Sequence, residues 1–146
     1  MDTSPQIKVL VVDDEREFAQ ALGERLEVRG IAVRVALNGD EALSRLEQQQ
    51  EDVVILDVKM PGRGGLETLQ EIKHRWPLVE VIMLTGHATV EVAIEGMKLG
   101  AHDFLMKPTE TDELMAKIRK AHDRKAEQEE RIRQADISRI IQRRGY

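Results

Sequence analysis

The sequence has 146 residues, of which 41% are hydrophobic and 34% charged, so it has the size and balance of one folded domain and not of a disordered chain. It contains no cysteine, which excludes a disulfide framework and any thiolate metal site. Residues 1 to 121 carry a net charge of −7, against +2 for residues 122 to 146. So acidic a body is not expected to bind nucleic acid, whose phosphates need a basic surface.

Apolar stretches rich in Val and Ile predict five β-strands. They are short and lack a helical period, which is typical of strands covered on both faces. In chain order they are Ile7 to Val12, Ile31 to Ala36, Val53 to Leu56, Val79 to Leu84 and Asp103 to Met106.

Amphipathic stretches follow each of these strands and predict helices. They are Glu15 to Arg29, Gly39 to Gln49, Gly65 to Arg75, Thr89 to Leu99, and a last one from Glu110 onward. Gly30 and Gly100 stand where a helix would end in a left-handed residue. Five alternations of strand and helix predict a parallel sheet with right-handed crossovers and helices on both faces.

The composition changes after His122, where the chain becomes charged, helix-forming and poor in apolar residues. We therefore place one domain at residues 1–122 and a charged helical extension at 123–146. The last helix carries only a broken apolar stripe, which suggests a coiled coil without establishing one. Two interpretations of the extension are therefore kept, a solvated tail and a helix that binds a partner. The stripe consists of Leu114, Ile118, Ala121, Ile132 and Ala135.

Polar side chains stand at the carboxyl ends of the predicted strands. Asp13 and Asp14 follow the first strand, Asp57 the third, Thr85 the fourth and Lys107 the fifth. Because the carboxyl ends of parallel strands meet at one edge of a sheet, three carboxylates, a hydroxyl and an ammonium are expected to converge there.

Three carboxylates so close would raise one another's pKa values unless a cation neutralised them. A hard divalent ion suits these oxygen ligands, and because the protein ligands are few, Mg²⁺ is the favoured ion. The backbone carbonyl of Lys59 would supply a further ligand. With the metal and Lys107 offsetting charge on the transferring oxygens, Asp57 is the best nucleophile for phosphoryl transfer. Each residue taken alone has a simpler explanation: Asp13 or Asp14 would cap the first helix, and the others would be turn or loop residues.

These residues and their motifs resemble the receiver domain of bacterial two-component response regulators. VLVVDDE, VVILDVKMPG, VIMLTGHA and DFLMKP occur in the order and spacing of that family, over residues 6 to about 122. The resemblance implies a flavodoxin-like, doubly wound (βα)5 three-layer sandwich. Its parallel five-stranded sheet would have the order 2-1-3-4-5, and the C-terminal helix would be extended.

The resemblance also implies a role for each site residue. Asp57 would be the phosphoacceptor, Asp13 and Asp14 the Mg²⁺ ligands, Thr85 the switch hydroxyl and Lys107 the ammonium that contacts the phosphoryl group.

Further positions take their roles from the family as well. Phe104 matches the aromatic switch residue, although a core aromatic is the simpler explanation. Lys59 and His87 occupy positions that tune the loss of the phosphoryl group, and the Lys107 to Pro108 bond would be cis. The family often has an acidic residue where Gly64 stands, so a helix cap is lost and a more mobile loop after Asp57 is expected.

The function expected from this resemblance is a phosphorylation switch in a single-domain regulator. A partner histidine kinase would donate the phosphoryl group. The face of the fourth helix, fifth strand and fifth helix would then bind a downstream protein or a second copy, as in a homodimer. The domain would not be an enzyme beyond its own phosphotransfer and autodephosphorylation. The alternative is the N-terminal receiver and linker of a longer DNA-binding transcription activator, since TGHATVEVAIEGMKLGAHDFLMKP resembles the receivers of enhancer-binding activators.

Two rival classes are disfavoured by single positions. An aspartate-nucleophile phosphatase of the haloacid dehalogenase type needs an acid two residues after its nucleophile, where Lys59 stands. A flavodoxin needs hydroxyl and amide donors after the first strand, where Asp13, Asp14 and Glu15 would repel a flavin phosphate.

The sequence predicts a cytoplasmic protein with no membrane segment. The N-terminus has no apolar signal core, and no apolar run approaches the roughly 20 residues that span a bilayer.

Overall fold

Strand and helix alternate five times around a parallel sheet. The computed structural model describes residues 6–59, 64–86 and 90–143. The strands are β1 (Lys8–Val12), β2 (Ala32–Ala36), β3 (Val53–Asp57), β4 (Glu80–Thr85) and β5 (Asp103–Met106). The helices are α1 (Arg16–Val28), α2 (Gly39–Gln48), α3 (Gly65–Arg75), α4 (Val90–Lys98) and α5 (Thr111–Arg143).

The strand order is β2-β1-β3-β4-β5, and neighbouring strands are parallel. This confirms the predicted flavodoxin-like topology. The order changes direction between β1 and β3, and such a switch point opens a crevice at the carboxyl ends of the strands. Val12 pairs with Leu56 in the register, so the residues after β1 and at the end of β3 meet at this crevice.

Two aliphatic layers cover the faces of the sheet, as the absence of alternation in the strands predicts. The first layer packs against α2, α3 and α4, and its buried strand residues are Leu10, Val12, Ala36, Val54, Leu56, Val81 and Met83. The second packs against α1 and α5, and its buried strand residues are Val9, Val11, Val53, Ile55, Ile82, Leu84 and Leu105. Each fully buried Leu, Ile or Val side chain contributes about 1.5–3 kcal/mol relative to exposure.

Left-handed glycines end two of the helices, as predicted. Gly30 after α1 has a φ of +89° and Gly100 after α4 a φ of +106°. The amide of Gly30 donates to the carbonyl of Glu27, which closes the end of α1.

Helix α5 is a single helix of 33 residues that continues beyond the sheet. Ion pairs join it to the amino ends of two strands, with Arg124 Nε 3.4 Å from Glu80 Oε1 and Lys125 Nζ 3.3 Å from Asp52 Oδ1. All of the residues from Glu129 to Arg143 are exposed. Four large apolar side chains lie on this exposed part: Ile132, Ile137, Ile140 and Ile141.

Searched over the described ranges, the chain contains no helix that is long and apolar enough to cross a membrane.

The start of α3 lies directly against the chain that leaves β3. A Cβ atom on Gly65 would stand 2.6 Å from the carbonyl oxygen and 2.8 Å from the Cα of Val58. A Cβ atom on Gly64 would meet no heavy atom of the described chain within 4 Å. Gly64 therefore has room for a side chain, and Gly65 does not.

Gly65→Ala is expected to lower the free energy of unfolding by about 1–3 kcal/mol, because the atoms opposite are backbone and cannot turn aside. Gly64→Ala is the matched control and is expected to change it by less than about 1 kcal/mol, since its φ of −69° and ψ of 168° suit alanine and the only cost is that alanine is a poorer helix N-cap than glycine. Urea unfolding measures both values. An equal effect of the two substitutions would contradict the close contact.

Candidate functional site

The carboxyl ends of β1 and β3 and the residue after β5 form one charged cluster. Carboxylate oxygens of Asp13, Asp14 and Asp57 lie within 4.8 Å of one another. Lys107 Nζ lies 2.9 Å from Asp13 Oδ2 and 3.7 Å from Asp57 Oδ2. The structure therefore brings together four of the side chains that the sequence places at the strand ends.

The three acids differ in their access to solvent. Asp13 is 1% and Asp57 7% exposed, whereas Asp14 is an exposed residue. Asp57 is also the last residue of β3, paired with Leu84, and not the first residue after the strand as the sequence suggests. The cluster thus has a buried floor and one open side, through which a ligand from solvent can reach it.

Backbone amides orient both buried carboxylates in the same way. Asp13 Oδ1 accepts a hydrogen bond of 2.9 Å from the amide of Glu15, and Asp57 Oδ1 accepts one of 3.1 Å from the amide of Lys59. The Oδ2 atoms are the ones that face Lys107. The N-cap of α1 is Glu15, so neither Asp13 nor Asp14 is the cap residue, which was the simpler explanation for them.

The environment shifts the proton affinities of Asp57 and Lys107. Burial raises the pKa of Asp57 to about 6, and the charges of Asp13 and Asp14 add to this, while the Lys59 amide and Lys107 oppose it. Burial lowers the pKa of Lys107, but its hydrogen bond to Asp13 and its attraction to Asp57 outweigh burial and raise the pKa above its usual value. The lysine is therefore a permanent cation beside the acids.

The donor set of this cluster fits a hard divalent cation. Three carboxylates against one ammonium leave excess negative charge, and oxygen atoms are the ligands that Mg²⁺ and Ca²⁺ take. Lys59, whose carbonyl is the predicted further ligand, is exposed and lies two residues after Asp57.

Thr85 and Phe104 lie on the two strands beside the cluster. Thr85 is the last residue of β4 and is 1% exposed, and its hydroxyl donates to the carbonyl of Gly86. Its own carbonyl accepts a hydrogen bond of 2.7 Å from the amide of Lys107. Phe104 on β5 is half-buried and packs against the layer on the α4 side. A backbone hydrogen bond thus links Thr85 to Lys107.

Two further predicted positions have different outcomes. The peptide bond between Lys107 and Pro108 is cis. His87 lies outside the described residues, so its rate-tuning role stays a prediction.

One residue at the site was missed by sequence reasoning. The ring of Phe18, in the first turn of α1, has its centroid 4.3 Å from Lys107 Nζ. Phe18 stands four residues after Asp14, at a position where a helix places an apolar residue toward the core. The only available signal was scarcity, since the chain has two phenylalanines.

The fold and this acidic crevice define a receiver domain. The family model for the response regulator receiver domain matches residues 9–119, and the chain belongs to this family, the receivers of two-component response regulators. The resemblance seen in the motifs is thereby confirmed.

Particular relatives place it near the receivers of transcription regulators. The chain is 39% identical to the transcriptional regulatory protein ZraR of Escherichia coli K12 over 119 residues, which cover 82% of this chain and 27% of ZraR. It is 35% identical to the DNA-binding transcriptional regulator NtrC of Salmonella typhimurium over 122 residues, 84% of this chain and 26% of NtrC. The chain thus spans about a quarter of the length of these relatives.

Solved structures agree with the sequence relatives. The receiver domain of NtrX from Brucella abortus superposes with a TM-score of 0.76 at 34% identity, covering 79% of this chain and 98% of that domain. A response regulator receiver domain from Clostridium thermocellum gives a TM-score of 0.79 at 39% identity, covering 82% and 97%.

Asp57→Asn is expected to raise the free energy of unfolding of the metal-free protein at pH 7.5 by about 3 kcal/mol. The carboxyl has a pKa of about 6 when folded and 3.8 in its ordinary state, so it ionises first in the unfolded chain. Ionisation therefore destabilises the folded wild type as the pH rises from about 4 to 6, and the full penalty persists above that range.

Urea unfolding of both proteins in EDTA, at pH 4 and at pH 7.5, measures the difference. The gain should be near zero at the lower pH. An equal gain at both values would show that burial of the charge is not its cause.

Proposed function

We propose that this domain accepts a phosphoryl group on Asp57 from a phosphohistidine of a partner histidine kinase. The observation that carries this proposal is the buried Asp57 carboxylate, which lies beside Asp13, Asp14 and Lys107. A carboxylate oxygen of Asp57 attacks phosphorus as the bond from phosphorus to the donor imidazole nitrogen breaks, and that nitrogen leaves with the electron pair.

Asp13 and Asp14 would hold Mg²⁺ together with Asp57 and the carbonyl of Lys59. When bound, the ion offsets charge on the phosphoryl oxygens. The amide of Lys59 keeps the Asp57 carboxylate in one orientation, because it donates to Oδ1. Lys107 supplies a second positive charge 3.7 Å from Asp57, within reach of an oxygen on the incoming group.

Occupation of the cluster by a cation would change the partners of Lys107. Its shortest ion pair is with Asp13, one of the proposed metal ligands. A cation bound to Asp13 would weaken this ion pair, and the ammonium would turn toward the phosphoryl group on Asp57. The same lysine would thus neutralise the resting cluster and stabilise the phosphorylated one.

The proposed switch would relay the presence of the phosphoryl group on Asp57 to α4, β5 and α5. The Thr85 hydroxyl would turn from the Gly86 carbonyl to a phosphoryl oxygen, and Phe104 would turn inward behind it. Phosphorylation adds charge at an element with two arrangements and shifts their populations. Ile94 and Met97 on α4 are 47% and 38% exposed and offer an apolar contact for a downstream protein or a second copy.

The domain would do no chemistry on other substrates. Its activity would be limited to its own phosphotransfer and autodephosphorylation, at a rate set in part by Lys59 and His87. A cytoplasmic location is part of the proposal and is consistent with the absence of cysteine.

Wild-type protein incubated with acetyl phosphate and Mg²⁺ is expected to gain the mass of about one phosphoryl group, because one nucleophile is activated. Asp57→Asn should gain none, and EDTA should abolish the gain in wild type. Asp112→Asn, which removes an acid with an 84% exposed side chain at the start of α5, is the matched control and should be modified like wild type.

Intact-mass spectrometry reads all four samples. No gain in wild type with acetyl phosphate or with phosphoramidate would contradict the proposal.

Ile94→Ser is expected to weaken phosphorylation-dependent self-association about tenfold, because it removes a large apolar side chain from the proposed face. Ile132→Ser is the matched control, since Ile132 is 49% exposed but lies on the extension of α5. Sedimentation of phosphorylated protein over a range of concentrations measures both. Loss of association only in the Ile132 variant would move the contact from α4 to the extension.

A further inference from the structure

Lys107 is held from a third side by an aromatic ring. The ring centroid of Phe18 lies 4.3 Å from Lys107 Nζ, while Asp13 and Asp57 contact the ammonium with their Oδ2 atoms. Phe18 is half-buried and packs against the layer formed with α1 and α5, so its ring is fixed by the core. The lysine side chain is 23% exposed and is thus partly shielded from water at this contact.

A lysine needs such support more than most side chains do. Its ammonium ends a flexible four-carbon stem and is strongly hydrated, so holding it in one place opposes both rotamer freedom and solvation. The face of an aromatic ring carries negative charge density and attracts a cation within about 6 Å, more strongly where water is excluded. The Phe18 ring therefore restricts the positions that the ammonium takes.

The ring differs from the two carboxylates in one respect that matters for the reaction. Asp13 is a proposed metal ligand and Asp57 the proposed phosphoacceptor, so both acids change their partners when the site is used. Phe18 neither titrates nor binds metal, and its contact with Lys107 is available before and after the transfer.

We propose that Phe18 is a positioning residue for the phosphoryl transfer, and that its ring keeps the Lys107 ammonium beside Asp57 while the contact between Lys107 and Asp13 is lost. This inference rests on the proposed function of Asp57. Phe18 touches neither the phosphoryl group nor the metal and acts only through the lysine.

The experiment distinguishes the effect of the aromatic face of Phe18 from that of its apolar volume. Phe18→Leu and Phe18→Met keep an apolar side chain but remove the aromatic face, whereas Phe18→Tyr keeps that face. The two ringless variants are expected to accept the phosphoryl group from acetyl phosphate about 3- to 10-fold more slowly than wild type, and the tyrosine variant within about twofold of it. Urea midpoints show that each variant is folded under the conditions of the assay.

Two further readouts distinguish positioning from packing. The ε-methylene protons of Lys107 should show an upfield ring-current shift in wild type and Phe18→Tyr that is lost in both ringless variants. Phe18→Leu should also slow the reaction less in a Lys107→Gln background than in wild type, because the residue that the ring positions is already gone.

Equal rates for wild type and the ringless variants would overturn the inference, as would a tyrosine variant as slow as the leucine one. An equal loss in the Lys107→Gln background would show a packing role and overturn it as well. A wild type that accepts no phosphoryl group would overturn the proposed function and this inference with it. If the wild type is phosphorylated and Phe18→Leu reacts at the same rate, the role of Phe18 is overturned and the proposed function is not.

Discussion

The repulsion among three carboxylates at one edge of the sheet is the constraint on which this structure depends. The parallel register of β1 with β3 places Asp13 beside Asp57, and both are almost fully buried. Burial of like charges is unfavourable, and it is offset locally by Lys107 and by backbone amides. The aliphatic layers on both faces of the sheet supply the stability that holds the acids together. The site is therefore least stable when no cation is bound to it.

The two buried carboxylates are held in defined orientations by the same pattern of partners. In Asp13 and Asp57 the Oδ1 atom accepts from the amide two residues later, and the Oδ2 atom faces the lysine. Each carboxylate is therefore fixed by its own strand end and not by its neighbour. Because the two are positioned independently, a change in the partner of one acid does not disorder the other, which suits a site that exchanges ligands.

Most of the fold could be predicted from the sequence, because buried strands, helix periods and glycine ends are local signals. The bounds of α3 and β5 agree with prediction, while the other described ends differ by a residue or so, as fraying allows. The gathering of Asp13, Asp14, Asp57 and Lys107 followed from topology alone. The burial of Asp13 beside an exposed Asp14 did not, since it depends on the turn into α1. Phe18 was missed because an apolar helix position predicts core packing, and only the folded chain shows the lysine above its ring.

The ion pairs of α5 have a mechanical consequence. Arg124 and Lys125 attach the helix to the amino ends of β3 and β4, whereas its first turn lies near the opposite edge, where the acids are. About 20 Å of helix lies before this attachment and about 27 Å after it, at 1.5 Å per residue. The part before the attachment is also fixed by the core, in which Leu114, Ile118 and Ala121 are buried. Helix α5 thus has a shorter part fixed in the domain and a longer part in solvent, and any change in its tilt displaces the far tip most.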